Sequence, residues 1–80
     1  MEKLACLSDR EKQVLILIAE GLTNKEISAS LAISESTVEN HTHHIYKKLR
    51  VSNRARAVAY VLRLRIIHEN EDIENKGNPS

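Results

Sequence analysis

The sequence has no Phe and no Trp, a single Cys, a single Pro and two Gly in 80 residues. Each shortage excludes something. Tyr46 and Tyr60 are the only aromatics, so a core must be aliphatic, built from Leu, Ile, Val and Ala. So little Gly and Pro cannot punctuate a many-stranded sheet, and helices with short turns are expected instead. Cys6, being alone, can form no intramolecular disulfide, which suits a reducing cytoplasm. The longest apolar run, Val14 to Ala19, is far too short to span a membrane, so no membrane partner is expected. No Gly-rich phosphate loop and no nucleophile–base pairing is readable. So small an aliphatic core also leaves little room for a pocket, so neither enzymatic activity nor a cofactor is expected.

What remains is enough for one small domain. The formal net charge is +1, but it is unevenly spread. Residues 69–80 hold Glu69, Glu71, Asp72 and Glu74 against Lys76, and this polar, aperiodic stretch reads as a mobile tail. Residues 1–68 carry 11 basic and 7 acidic residues, a net +4, and read as the folded domain. Between Lys47 and Arg56 lie five bases (Lys47, Lys48, Arg50, Arg54, Arg56) and no acid. Such a segment suits a phosphate-docking face, although an ordinary solvated face also looks like this.

Capping signals divide the chain into four helices. Ser8 with Glu11 forms an S-x-x-E capping box, and the helix it starts stops near Gly21. Thr23 with Glu26 repeats the box before a short second helix ending at Leu31 or Ala32. Ser34 caps a third helix from Glu35 to about Leu49. Ser52 begins a fourth, from Asn53 to about Ile67. The turn Ala32-Ile33-Ser34 is so short that the second and third helices must cross steeply, with Ile27, Leu31, Ile33 and Val38 at their contact and small Ser28 where they approach. An all-α, four-helix domain with a central helix-turn-helix is the expected fold.

The third helix carries the functional signal. At about 100° per residue, Val38, Ile45 and Leu49 share a core-facing side, flanked by His41 and Thr42. Ser36, Asn40, His43 and Lys47 share the opposite side. None of these four is apolar. Asn can pair bidentately with adenine, and Lys can reach guanine or phosphate. Any surface helix is polar outside, so the face gains meaning only beside the tight turn and the basic segment. Together they point to double-stranded DNA read by the third helix.

Four blocks in order carry a family resemblance: L-S-D-R-E at Leu7–Glu11, E-G-L-T-N-K-E-I at Glu20–Ile27, I-S-E-S-T-V-E-N-H at Ile33–His41 and K-L-R-V-S-N-R at Lys48–Arg54. From Leu7 to about Ile67 the chain resembles the LuxR-type (GerE-type) DNA-binding domain of bacterial transcriptional regulators. The resemblance implies a recognition helix in the major groove and a homodimer through the fourth helix; RNA polymerase is a further candidate partner. Family members often carry a receiver or ligand-binding domain upstream. By position, the resemblance places DNA contacts on Asn24, Lys25, Ser36, Thr37, Glu39, Asn40, His43, Lys47 and Arg54. It makes Glu11 a structural glutamate paired with a base such as Arg54, and Gly21 and Leu15 scaffold positions. Three residues depart from the family pattern. Glu39 stands where Lys or Arg is usual, while Ala32 and Arg50 each replace a common Gly.

The fourth helix has more apolar residues than one packed stripe needs. Val58, Val61 and Leu62 make an inward stripe. Ala55, Ala59 and Ile66 lie largely outside it and, with Leu62, form the expected seam of a dimer, weak in solution and stronger on a two-half-site duplex. Two other readings fit parts of this pattern. Region four of a sigma factor has a similar motif, but K-L-R-V-S-N-R and the long apolar fourth helix favour the LuxR type. A metal or sensing module would use His41, His43 and His44, but no Cys or Asp supports them at ligand spacing.

Overall fold

The computed structural model describes residues 6–64, which form four helices and no strand. They are α1 (Asp9–Ala19), α2 (Asn24–Leu31), α3 (Glu35–Leu49) and α4, which occupies residues 54–64 of the described chain. The expected end of α4 near Ile67, the seam residue Ile66 and the tail 69–80 lie outside the described residues. No described helix is long and apolar enough to cross a membrane.

Side chains set the start of each helix. The Ser8 Oγ accepts from the Glu11 backbone N–H at 3.1 Å, and Glu11 Oε1 accepts from the Ser8 N–H at 3.0 Å. Thr23 and Glu26 make the same reciprocal pair at 3.1 and 2.8 Å. Ser34 caps α3 by accepting from the Thr37 N–H. The start of α4 differs from expectation by one residue. Asn53 is its cap, its Oδ1 accepting from the Arg56 N–H at 2.9 Å, and Ser52 belongs to the connection. Both types cap well, so side-chain chemistry alone could not choose between neighbours.

The helices also end alike. Leu22, Ile33 and Val51 each donate a backbone N–H to the carbonyl five residues earlier, at 3.0–3.1 Å. That closure requires a left-handed residue just before the donor. Gly21 fills the first such position at φ 96°. Ala32 (φ 58°) and Arg50 (φ 59°) fill the others, where a Cβ adds strain of about 1 kcal/mol each.

The core is aliphatic as composition demanded. Leu7, Val14, Leu15, Ile18, Ile27, Val38, Ile45, Leu49, Ala57 and Val61 are buried, with Leu31, Ile33, Tyr46 and Val58 partly buried against them. Two expectations shift. Thr42 is not a flank but part of the buried stripe of α3, its hydroxyl satisfied by the Glu39 carbonyl at 2.8 Å. On α4 the inward pair is Ala57 and Val61, with Val58 half-buried, whereas Leu62 points outward at 44 % exposure. Ala57 and Val61 are one turn apart, and Leu62 lies about 100° further round. Ala57 is fully buried and belongs to the aliphatic core.

Candidate nucleic-acid interface

The three residues between α2 and α3 hold the two helices as a tight pair around Ile27 and Val38, both fully buried. This burial turns the other side of α3 to solvent. Ser36, Glu39, Asn40, His43 and Lys47 are exposed, and Thr37 is half-exposed. The Thr37 Oγ1 hydrogen-bonds the Ser34 Oγ at 2.8 Å, and Ser36 Oγ lies 3.2 Å from the same oxygen. Hydroxyls and backbone N–H groups therefore gather at the start of α3, where a helix end favours a phosphate. Lys47 and Lys48 occupy its last turn, complementing the helix dipole at that end.

Asn24 and Lys25 start α2 and lie on the same molecule's exposed or half-exposed surface. Asn24 is oriented by a residue 30 positions away. The Arg54 guanidinium donates to Asn24 Oδ1 at 3.1 Å and, through its other terminal nitrogen, to the Leu22 carbonyl. Because Arg can only donate, the amide must give it the oxygen end, which leaves Nδ2 as the donor end. A donor at the start of a helix is complementary to phosphate oxygen. Arg54 thus braces the α1–α2 turn and Asn24.

Glu11 is structural, but its partner is not Arg54. Its carboxylate is buried beneath α3, with Oε1 accepting from Lys48 Nζ at 2.9 Å and Oε2 lying 3.8 Å from His44 Nδ1. Burial pushes its pKa up. The Lys48 hydrogen bond, the Ser8 N–H and the charges of Lys48 and His44 outweigh this and hold it below the ordinary carboxylate value of 4.5. Nothing in the spacing of Glu11 and Lys48 announces a pair 37 residues apart. Arg54 was the plausible choice by charge alone, but α4 carries it to the opposite end of α1.

The three histidines of α3 diverge. His44 faces Glu11, His41 is half-buried and His43 is exposed on the side of Asn40 and Lys47. Among the described residues no group of three His, Cys, Asp or Glu side chains could hold a metal ion. Two residues that the resemblance did not mark, Arg56 and Arg63, are exposed on α4 beside Arg50. Their i, i+7 spacing on a helix was the available signal.

The sequence matches the family described as bacterial regulatory proteins, luxR family, over residues 5–61. It is 45% identical over 56 residues to the CsgBAC operon transcriptional regulatory protein of Escherichia coli K12, covering 70% of this chain and 26% of that protein. It is 45% identical over 60 residues to the nitrate/nitrite response regulator protein NarL of the same organism, covering 75% and 28%. A low-resolution structure of the response regulator StyR superimposes with a TM-score of 0.73 at 43% identity, covering 76% of this chain and 31% of that one. The chain therefore spans between a quarter and a third of the length of these relatives. The matched region contains all four helices up to Val61, including the capped helix-turn-helix and the polar face of α3. This chain belongs to the LuxR family of bacterial regulatory proteins and folds as its helix-turn-helix DNA-binding domain.

Proposed function

We propose that the domain regulates transcription in the cytoplasm by laying α3 in the major groove of a specific duplex, two copies reading two half-sites. The observation that carries this is the outer face of α3. Ser36, Asn40, His43 and Lys47 are all exposed and all able to hydrogen-bond, on a helix whose other side is locked in the core. Asn40 is central on that face and suits an adenine edge, while Lys47, nearer the C-terminal end, suits phosphate. Asn24, Lys25, Ser36 and Thr37 supply donors at two helix starts for the backbone. Neither an upstream receiver nor a polymerase contact is needed for this reading, since the reading face belongs to the domain itself.

The second copy would pack on α4. Ala55, Ala59 and Leu62 are exposed and apolar on one side of that helix, and small alanines allow close approach. Binding-site selection from random duplexes tests the whole reading. The expected result is a preferred site with two related halves about one DNA turn apart. Asn40→Ala should relax the preference at one position per half, at about 1–3 kcal/mol. A chain that binds its selected site no better than random DNA at moderate salt does not read sequence through α3.

A further inference from the structure

Between the end of α3 and the side of α4 lies an open groove of about 190 Å³, lined by Arg50, Val51, Arg56, Ala59, Tyr60 and Arg63. From Asn40 to Arg63 the sequence has no acidic residue. Lys48 is held by Glu11, and Arg54 by Leu22 and Asn24. The three groove arginines have no carboxylate within ion-pair distance among the described residues. Permanent cations gathered this way repel one another and favour an anion between them. Ala59, too small to close the space, lines it beside the half-buried Tyr60, whose phenol can also donate. A ring of donors with planar guanidinium forks matches the oxygens of a phosphate better than those of any neutral ligand.

We propose that this groove receives a phosphate of the DNA backbone, as a second contact beyond the reading face of α3. The inference rests on that reading. Arg50 is the residue that ends α3, one turn beyond Lys47, so the groove continues the donor face past the end of the helix. The sugar-phosphate strand bordering the major groove passes the ends of a helix lying in it, and here it meets Arg50, Arg56 and Arg63. Ala59 lies between this groove and the apolar side of α4. In a dimer paired there, the two grooves flank the two-fold axis and grip the centre of the operator.

The test is the salt dependence of binding to a selected duplex, followed by fluorescence anisotropy. Arg56→Gln and Arg63→Gln keep an aliphatic stem, and both residues are exposed, so the fold is expected to hold and melting curves check it. Each should flatten the slope of log K against log salt by about 0.9 for every bound copy if it loses one phosphate contact, leaving the selected base preference unchanged. Arg10→Gln, removing the same charge from exposed α1, should leave the slope as it was. Unchanged slopes in both groove variants, with wild type still preferring its site, overturn the groove but not the reading of α3. A loss of two-copy stoichiometry with the slope per copy retained also overturns it, assigning the arginines to a protein partner. Wild type without site preference would remove the reading on which the groove rests.

Discussion

Replacing Lys48 by Met removes the counter-charge of Glu11 while keeping the aliphatic stem that lies against α1. The Glu11 side chain is 7% exposed and Lys48 39%, so the two ends of the bridge are unequal. Lys48→Met strands a buried carboxylate, a change that costs about 3–5 kcal/mol for a fully buried pair. Screening at the half-exposed end and the remaining Ser8 and His44 contacts reduce this to about 2 kcal/mol. For a domain of this size that is a fall in Tm on the order of 8–16 °C. Glu11→Gln should cost less, about 1 kcal/mol. It keeps an acceptor for the Ser8 N–H and leaves only a half-exposed ammonium for water to solvate. The order of the two losses is therefore part of the prediction. So is its pH dependence. Because the folded pKa of Glu11 is lowered, its stabilisation is present in full above the ordinary carboxylate value and fades as pH falls through the lowered one. In Lys48→Met the buried carboxylate instead gains from protonation, so the gap to wild type should narrow from pH 7 towards pH 3. Thermal unfolding by circular dichroism at both ends of that range measures it. A gap that stays constant with pH, or a larger loss for Glu11→Gln than for Lys48→Met, refutes the asymmetry argued from burial.

Ala32→Gly should raise stability by about 0.5–1 kcal/mol, because it relieves a left-handed Cβ at φ 58° for a smaller entropic cost; an unchanged or lowered Tm would mean that the turn carries no strain. Glu39→Lys, on the exposed side of α3, should tighten binding to random duplex and lower discrimination, since a carboxylate that repels phosphate can still accept from cytosine N4; equal affinities for site and random DNA in variant and wild type would place Glu39 away from the duplex. Leu62→Glu should weaken binding to a two-half-site duplex while sparing a single half-site, and undiminished two-site affinity would end the α4 seam. Leu62 serves this test better than Ala59, because a glutamate at 59 would sit one turn from both Arg56 and Arg63 and alter their groove as well.

Local chemistry made most of the fold legible. The paired Ser8–Glu11 and Thr23–Glu26 boxes and the Ser34 cap mark helix starts within a few residues, because the partners sit three apart and need no tertiary context. The polar outer face of α3 is legible because burial of Val38, Ile45 and Leu49 fixes, by helical periodicity, what must point outward. What sequence could not give was set by packing between distant segments. Glu11 meets Lys48 because α3 crosses α1 there, whereas Arg54 is committed to the α1–α2 turn. Thr42 enters the core because a carbonyl one turn back satisfies its hydroxyl, a bond that hydropathy does not register. On α4 it is Ala57 and Val61 that are buried while Leu62 is 44 % exposed, the reverse of what size alone suggests. The arginine groove was hidden for the same reason, as Arg50 and Arg63 become neighbours only when α4 folds back along the end of α3.

Arg54 belongs to two equilibria at once. Its backbone opens α4, the helix through which a second copy would pair, and its guanidinium holds Asn24 and the Leu22 carbonyl at the start of α2. On the proposed reading, a partner that orders α4 would steady this fork, and the fork steadies the Asn24 amide proposed to meet the DNA backbone. A duplex that fixed Asn24 would return the same free energy to the seat of α4, because coupling between two binding events is reciprocal. On the proposed reading, pairing and operator binding are linked through one side chain and two hydrogen bonds. Cooperativity would then be built into the domain's own framework, with no moving hinge required.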